Sequence, residues 1–311
     1  MKKRILVVSS ANIDFVMKVG KLPAAGQTVM EPRGYSYVPG GKGANAALAL
    51  ARLGADSIFC ARLGNDSHAQ QLRALYSDEG IDTRFLQNDR NAATGLASII
   101  VEESGVNRII VYPGANNNLT SDDVEDAMTC LPDAVLVQME IPDEAVIAAT
   151  KFANKKNIPV FLDTGAARSD FPLDLLGPLE VISPNESETF ALTGIMPTNA
   201  NDCLRAADML MKRIETKYVV IKLGGRGAYI HDGRRSQLVS AYECDVVDTT
   251  AAGDAFTAAM THEYIRTGDI VRAVKYANAV GAIVVSREGA STSLPTARQV
   301  DAFIERNGII L

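Results

Sequence analysis

Apolar runs of strand length alternate with amphipathic stretches of helix length along most of this chain. Residues 4–10 (RILVVSS) read as a buried strand, and 44–54 (ANAALALARLG) as a helix ended by Gly54. Residues 57–64 (SIFCARLG) form the next strand pattern. Residues 66–80 form a helix pattern, capped by Asn65 or Asp66 and stopped by Gly80. Residues 134–140 (AVLVQME) read as a strand, and 142–157 as a helix with Pro142 in its first turn. Three more strand patterns follow at 158–163, 179–184 and 218–224. Two long helices are expected from Gly253 to about Ser286. Strand followed by helix, repeated, predicts an α/β fold with a mostly parallel sheet covered on both faces.

Two regions break the rhythm. Residues 12–39 hold strand-like pieces (NIDFVMKV, TVMEPRGYSYV) with no helix between them. Residues 94–112 read as a hairpin around Ser104 and Gly105. These antiparallel pieces predict a small second sheet, a lid formed by about 12–39 and 94–112 on a single domain spanning 1–311. A small sheet with one apolar face needs a partner. A homodimer through the lid sheets is the expectation, although the chain's own body could also cover that face.

Apolar residues make up 47% of the 311, enough for a sizeable core. A net charge of −6 argues against a nucleic-acid surface. Cysteines 60, 130, 203 and 244 form no CxxC pair and read as reduced, buried thiols. Histidines 68, 231 and 262 lack a zinc spacing. The opening MKKRILVVSS is too short for a signal or membrane segment. A soluble cytoplasmic protein with no membrane partner is expected.

Five motifs carry chemistry. In PGGKGANAALALARLG, Gly40, Gly41 and Gly43 allow close approach of a ligand, and Lys42 and Asn45 offer polar groups at a helix start. The motif is neither a Walker A loop nor GxGxxG, and a glycine-rich turn into a packed helix would also explain it. In SSANIDFV, Asn12 and Asp14 share one strand face and could hold sugar hydroxyls, or form a polar edge. Glu140 and Asn185 follow strands, where ligand crevices lie in such sheets. Asn185 with Glu188 also reads as an Asn variant of a capping box. Lys222, Gly224, Gly225 and Gly227 follow another strand, where a plain β-turn is the alternative. In VVDTTAAGDAF, a helix starting near Ala252 would leave the N–H groups of Ala251, Ala252 and Gly253 open to an anion. Asp254 behind them would have a chemical task, deprotonating a hydroxyl that attacks phosphorus, or would be an acid in the first helical turn favoured by the helix dipole.

Taken in order, N-x-D, GGKGAN, PNE and DTTAAGD resemble the PfkB carbohydrate kinases over nearly the whole chain, most of all their ribokinase branch. The resemblance implies a Rossmann-like three-layer sandwich with a β-sheet lid, and transfer of the ATP γ-phosphoryl group to a sugar hydroxyl. In ribokinases that is the 5-hydroxyl of D-ribose; deoxyribose, a hexose such as fructose, or a nucleoside are alternative acceptors. It implies Asp254 as catalytic base, and Ala251, Ala252 and Gly253 as anion hole. Asn12, Asp14, Gly40, Gly41, Lys42, Asn45 and Glu140, with Asp254, would hold the sugar. Asn185, Lys222, Gly224, Gly225 and Gly227 would lie near the nucleotide phosphates and ribose, and Asn278 by the adenine. Glu188 would help organise Mg²⁺. A K⁺ site would involve Asp248, Thr250, Val284, Arg287, Gly289 and Ser293. Three departures stand out: Ser9 and Ala251 where glycine is common, and LDTGAA at 162–167 in place of an Asn-Pro-Ala-Pro run. A non-catalytic sugar or nucleotide sensor is the weaker reading. A nicotinamide dehydrogenase lacks the required loop after the first strand.

Overall fold

A computed structural model of the chain describes residues 2–30, 33–104 and 106–311. The first strand, β1 (Arg4–Val8), leads into two strands of a separate small sheet, β2 (Asn12–Val19) and β3 (Tyr35–Gly40). The chain then returns through α1 (Lys42–Arg52), β4 (Asp56–Leu63), α2 (Ser67–Asp78) and the short β5 (Leu86–Asn88). Asp66 caps α2, accepting from the Ala69 N–H. Strands β6 (Gly95–Glu102) and β7 (Asn107–Tyr112) complete the small sheet. After α3 (Ser121–Ala127), strand and helix alternate: β8 (Ala134–Gln138), α4 (Asp143–Lys155), β9 (Val160–Asp163), β10 (Leu179–Ser183), α5 (Glu186–Thr193), α6 (Ala200–Arg213) and β11 (Thr216–Lys222). A hairpin, β12 (Ala228–His231) and β13 (Ser236–Val239), precedes α7 (Ala252–Thr267), α8 (Ile270–Val285) and α9 (Ala297–Arg306).

The large sheet runs β13-β12-β11-β10-β9-β8-β1-β4-β5, parallel except for the β11–β12–β13 pairs at one edge. Side chains of β1 alternate between two cores, as period two requires. Ile5 and Val7 pack with α1, α2, α7 and α8 on one face. Leu6 and Val8 pack with α3, α4 and α6 on the other. The result is the three-layer sandwich that the strand–helix rhythm predicts. The chain leaves β1 for β4 on one side and β8 on the other, so the crevice expected at such a reversal lies beyond the end of β1.

The small sheet has the order β3-β2-β6-β7. It departs from expectation in two ways. Its central pair, β2 with β6, is parallel rather than antiparallel. Its third strand starts only at Tyr35: residues 28–30 are not strand, and Glu31 and Pro32 lie outside the described residues. Gly105 of the expected hairpin turn also lies outside them, while Ser104 sits in the turn between β6 and β7. Pro142 immediately precedes α4 rather than occupying its first turn.

Candidate active site

The ends of β1, β8, β9 and β11 and the starts of α1 and α7 converge on one crevice under the small sheet. Gly41 opens α1 at φ +89°, and a Cβ there would lie 2.7 Å from the Asn12 nitrogen. Only glycine lets α1 start against the entry to β2. Lys42 at the first helical position donates its N–H to Glu140 Oε2 at 3.3 Å, and Ser10 Oγ donates to the same oxygen. Glu140 therefore ties the β1 end to the start of α1. Asn12 is buried, and its Oδ1 accepts from Asn116 Nδ2 at 2.7 Å. Among the described residues the Asn12 amide nitrogen has no partner. Asp14 lies one residue pair along, in register with Val38 and Ala97, and a side chain on Gly40 would collide with it.

Asp254 is in the first turn of α7 and 7% exposed. Its Oδ2 accepts from Asn45 Nδ2 at 2.9 Å, and its Oδ1 lies 3.5 Å from Gln138 Nε2. Gln138 is held in turn by Ser9 Oγ, which donates to its Oε1 at 2.8 Å. Burial pushes the Asp254 carboxyl up to about 6, against the pull of Lys42. Burial, then the Glu140 and Asp254 charges, push Asp14 up to about 7. Lys42 is held protonated well above the usual lysine range, chiefly by Asp254. Several acids thus share little positive charge, which is the arrangement that tunes a carboxylate toward proton transfer near neutral pH.

Ala251 precedes α7 in a left-handed conformation, φ +62°, with no side-chain cap. Among the described residues the N–H groups of Ala251, Gly253 and Asp254 have no acceptor. The expectation for Ala252 needs correcting: its N–H reaches Thr249 O at 3.3 Å, because the tight turn at 249–252 brings that carbonyl back. The open donors at a helix start suit an anion. Beside them lies a cavity of about 240 Å³, lined by Gly224, Gly225, Gly227, Tyr242, Gly253 and Asn278 among others. Asn278 spends its amide hydrogens on the Val239 and Ser240 carbonyls, so it braces the cavity wall and leaves only its oxygen toward a ligand.

Glu188 completes the capping box of α5 with Asn185, and Thr164 Oγ1 also donates to its carboxylate at 3.0 Å. Among the described residues no group of three acids, histidines or cysteines could hold a metal. The two loops named for K⁺ do meet. Asp248 Oδ1 accepts from Thr250 N and Oγ1, and its Oδ2 from Gly289 N at 3.0 Å. The Val247 and Asp248 N–H groups both reach Val285 O. Val284 O accepts from Arg287 N, and Ser293 O lies 3.4 Å from Arg287 Nη1. Carboxylate, hydroxyl and carbonyl oxygens are hard donors that suit an alkali cation.

The pfkB family carbohydrate kinase profile matches residues 2–297. The chain belongs to that family. It is 33% identical over 310 residues to the ribokinase of Haemophilus influenzae, covering 98% of this chain and 99% of that one. It is 36% identical to a bifunctional ribokinase/ribose-5-phosphate isomerase A of Fructilactobacillus sanfranciscensis, and spans 55% of that relative's length. The structure of Arabidopsis thaliana ribokinase complexed with ribose and ATP superposes with a TM-score of 0.91 at 32% identity, covering 98% and 99% of the two chains.

The residues expected to hold the sugar (Asn12, Asp14, Gly40, Gly41, Lys42, Asn45, Glu140) lie together with Asp254 around the start of α1. Lys222, Gly224, Gly225 and Gly227 line the adjoining cavity. Asn185 is bridged to Lys222 but its side chain is committed to the α5 cap. Residues that were not anticipated also enter the site: Ser10, Asn116, Gln138, Thr164, Thr257 and above all Asp163. Asp163 ends β9, is 1% exposed, and pairs with Lys222 Nζ at 2.8 Å. An acid at a strand end inside the departing LDTGAA run was the signal for it.

Proposed function

We propose that this chain is an ATP-dependent sugar kinase that converts D-ribose and ATP to D-ribose 5-phosphate and ADP. One observation carries the reading: a buried carboxylate with a raised pKa, Asp254, sits behind open N–H donors at the start of α7, with a cluster of polar side chains on one side and a glycine-lined cavity on the other. Asn12, Asp14, Gly40, Gly41, Lys42, Asn45 and Glu140 bind the sugar. Asp254 takes the proton of the 5-hydroxyl while the N–H groups of Ala251 and Gly253 hold the phosphoryl oxygens. Ala252 adds little because its N–H is partly used. The acids crowding the crevice disfavour an anionic acceptor, which supports an uncharged sugar over a sugar phosphate.

ATP occupies the cavity with its phosphates toward Lys222, Gly224, Gly225 and Gly227, and its base toward Asn278. Mg²⁺ bound with ATP would screen the phosphate charge, and Glu188, fixed by its capping box with Asn185, would help hold it. A K⁺ would be held by the Asp248, Thr250, Val284, Arg287, Gly289 and Ser293 segments and would brace the turn before α7. We read 1–311 as one kinase domain, the small sheet as its lid, and the working form as a homodimer in the cytoplasm, where ATP is supplied.

The test is turnover by ADP release on ribose, deoxyribose, fructose and nucleosides, with and without K⁺. Deoxyribose and the rest stay in the panel because Gly165, in the departing run, packs on Lys42 and so shapes the acceptor side. Asp254→Asn is expected to lower kcat on ribose by about 10²- to 10⁴-fold. A folded Asp254→Asn protein with near-normal turnover removes the base assignment.

A further inference from the structure

Asp163 is left without a task by the chemistry above. It ends β9, Lys222 ends β11, and β10 lies between them. Lys222 Nζ donates to Asp163 Oδ1 at 2.8 Å and to Thr257 Oγ1 at 3.3 Å. Thr257 is one turn into α7 and donates to Gly253 O. The ammonium also lies 3.8 Å from where a Cβ on Gly253 would sit. Among the described residues its third hydrogen has no acceptor. Asp163 Oδ2 is buried with no partner.

Two features of this pair are unfavourable for folding alone. A cation at a helix N-terminus has the wrong sign for the helix dipole. A buried ion pair with an unmatched oxygen does not repay its desolvation. Both become favourable once an anion lies on the α7 start, between the helix and the ammonium. We propose that Lys222 is the cation that meets the transferred phosphoryl group, and that Asp163 positions it, the two working as one unit. The proposal rests on the kinase reading and names a charge system within the same site. During transfer the acceptor oxygen bonds to the γ-phosphorus, the bond to the β–γ bridging oxygen breaks, and its electron pair leaves with ADP. The acceptor proton goes to Asp254. Asp163 only holds Lys222 in place.

The experiment compares wild type, Lys222→Met, Asp163→Asn and the double variant. It measures thermal midpoint, affinity for ADP and for adenosine 5′-(β,γ-imido)triphosphate by calorimetry, and kcat and KM on ribose. Wild type is expected to bind the triphosphate analogue more tightly than ADP. Lys222→Met should erase about tenfold of that margin with ADP affinity unchanged. It should also lower kcat by about 10²-fold, in the range seen on removing one charge-stabilising donor, with KM for ribose nearly constant. Asp163→Asn should give a smaller loss of the same kind. The double variant should recover thermal stability, because no unpaired buried charge remains, yet keep the low kcat and the lost margin. A double variant that regains the margin, or a Lys222→Met that weakens both nucleotides equally, makes the pair structural and overturns the proposal. A wild type that binds both nucleotides but phosphorylates no sugar removes the kinase reading instead, and the nucleotide margin still decides the role of Lys222.

Discussion

Ala251 carries the backbone strain of the site. An L residue at φ +62° costs about 1–2 kcal/mol, and here the bend turns the following N–H groups outward before α7 begins. Ala251→Gly should raise stability by about 1 kcal/mol in urea denaturation; a loss would sink the strain argument. The neighbouring acid shows the opposite trade. Asp254 and Asp14 are raised from 3.8 to about 6 and about 7, so the folded chain holds their protons more tightly than the unfolded chain does. Their contribution to stability is full below about pH 4 and is lost as pH rises through 6 to 7. Buried His262 works against this in acid: its ring is pushed from 6.5 down to about 4, so stability from that group falls as pH drops below 6.5. Asp254→Asn removes one raised carboxyl and leaves the histidine. Its stability relative to wild type should therefore grow from pH 5 to pH 8 while turnover is lost. Wild-type kcat should fall below about pH 6 as Asp254 takes up its proton. A stability difference that does not change with pH would show that Asp254 ionises as it does in the unfolded chain.

Elements were legible where a local period wrote them. β1, α1, β4, α2, β8 and the α7–α8 pair follow from strand or helix spacing within a dozen residues. Pairing was not legible where it joins distant segments. β2 and β6 lie side by side in parallel, Asn12 opposite Gly95, and nothing in either run states the direction of its neighbour. The site divides the same way. Ala251, Gly253 and Asp254 fall within four consecutive positions, so their joint meaning could be read. Asn116 acts on Asn12, Ser10 on Glu140, and Asp163 on Lys222, each across 59 or more positions. Those meanings exist only after folding. Between these cases stand the loops around Asp248, whose joining to Gly289 follows a resemblance and is borne by one carboxylate. Asp248→Ala removes two hydrogen bonds within the turn before α7 and the one that ties that turn to the loop after α8. If K⁺ braces that turn, the K⁺ concentration for half-maximal activity should rise about 10- to 100-fold, as on loss of residues that orient cation ligands. An unchanged K⁺ response, with Asp248→Ala still folded, places the cation elsewhere or nowhere.

At the scale of the molecule, the small sheet is the part that its own chain does not finish. All six residues of β7 are exposed, including Ile109 at 54% and Val111 at 44%. Register places Val111 beside Ala97 and Asp14, and Ile109 beside Ile99 and Val16, on one face. That face starts over the crevice at Asp14 and runs outward as apolar side chains. Water against Ile99, Ile109 and Val111 is costly in isolation, and each apolar side chain covered returns roughly 1.5–3 kcal/mol. A second copy presenting the same strip would meet it symmetrically, since a two-fold interface joins like patches. Covering the strip would also close the outer side of the sugar crevice, so assembly and sugar affinity should change together. Ile109→Lys puts a charge into that strip without touching Asp254, Lys42 or the nucleotide cavity. It should shift the protein from dimer to monomer in sedimentation velocity at micromolar concentration. KM for ribose should rise about tenfold or more, with ATP affinity near wild type. A monomeric wild type, or an Ile109→Lys dimer with unchanged KM, would mean that the strip is covered by something other than a second copy, and that the lid closes without one.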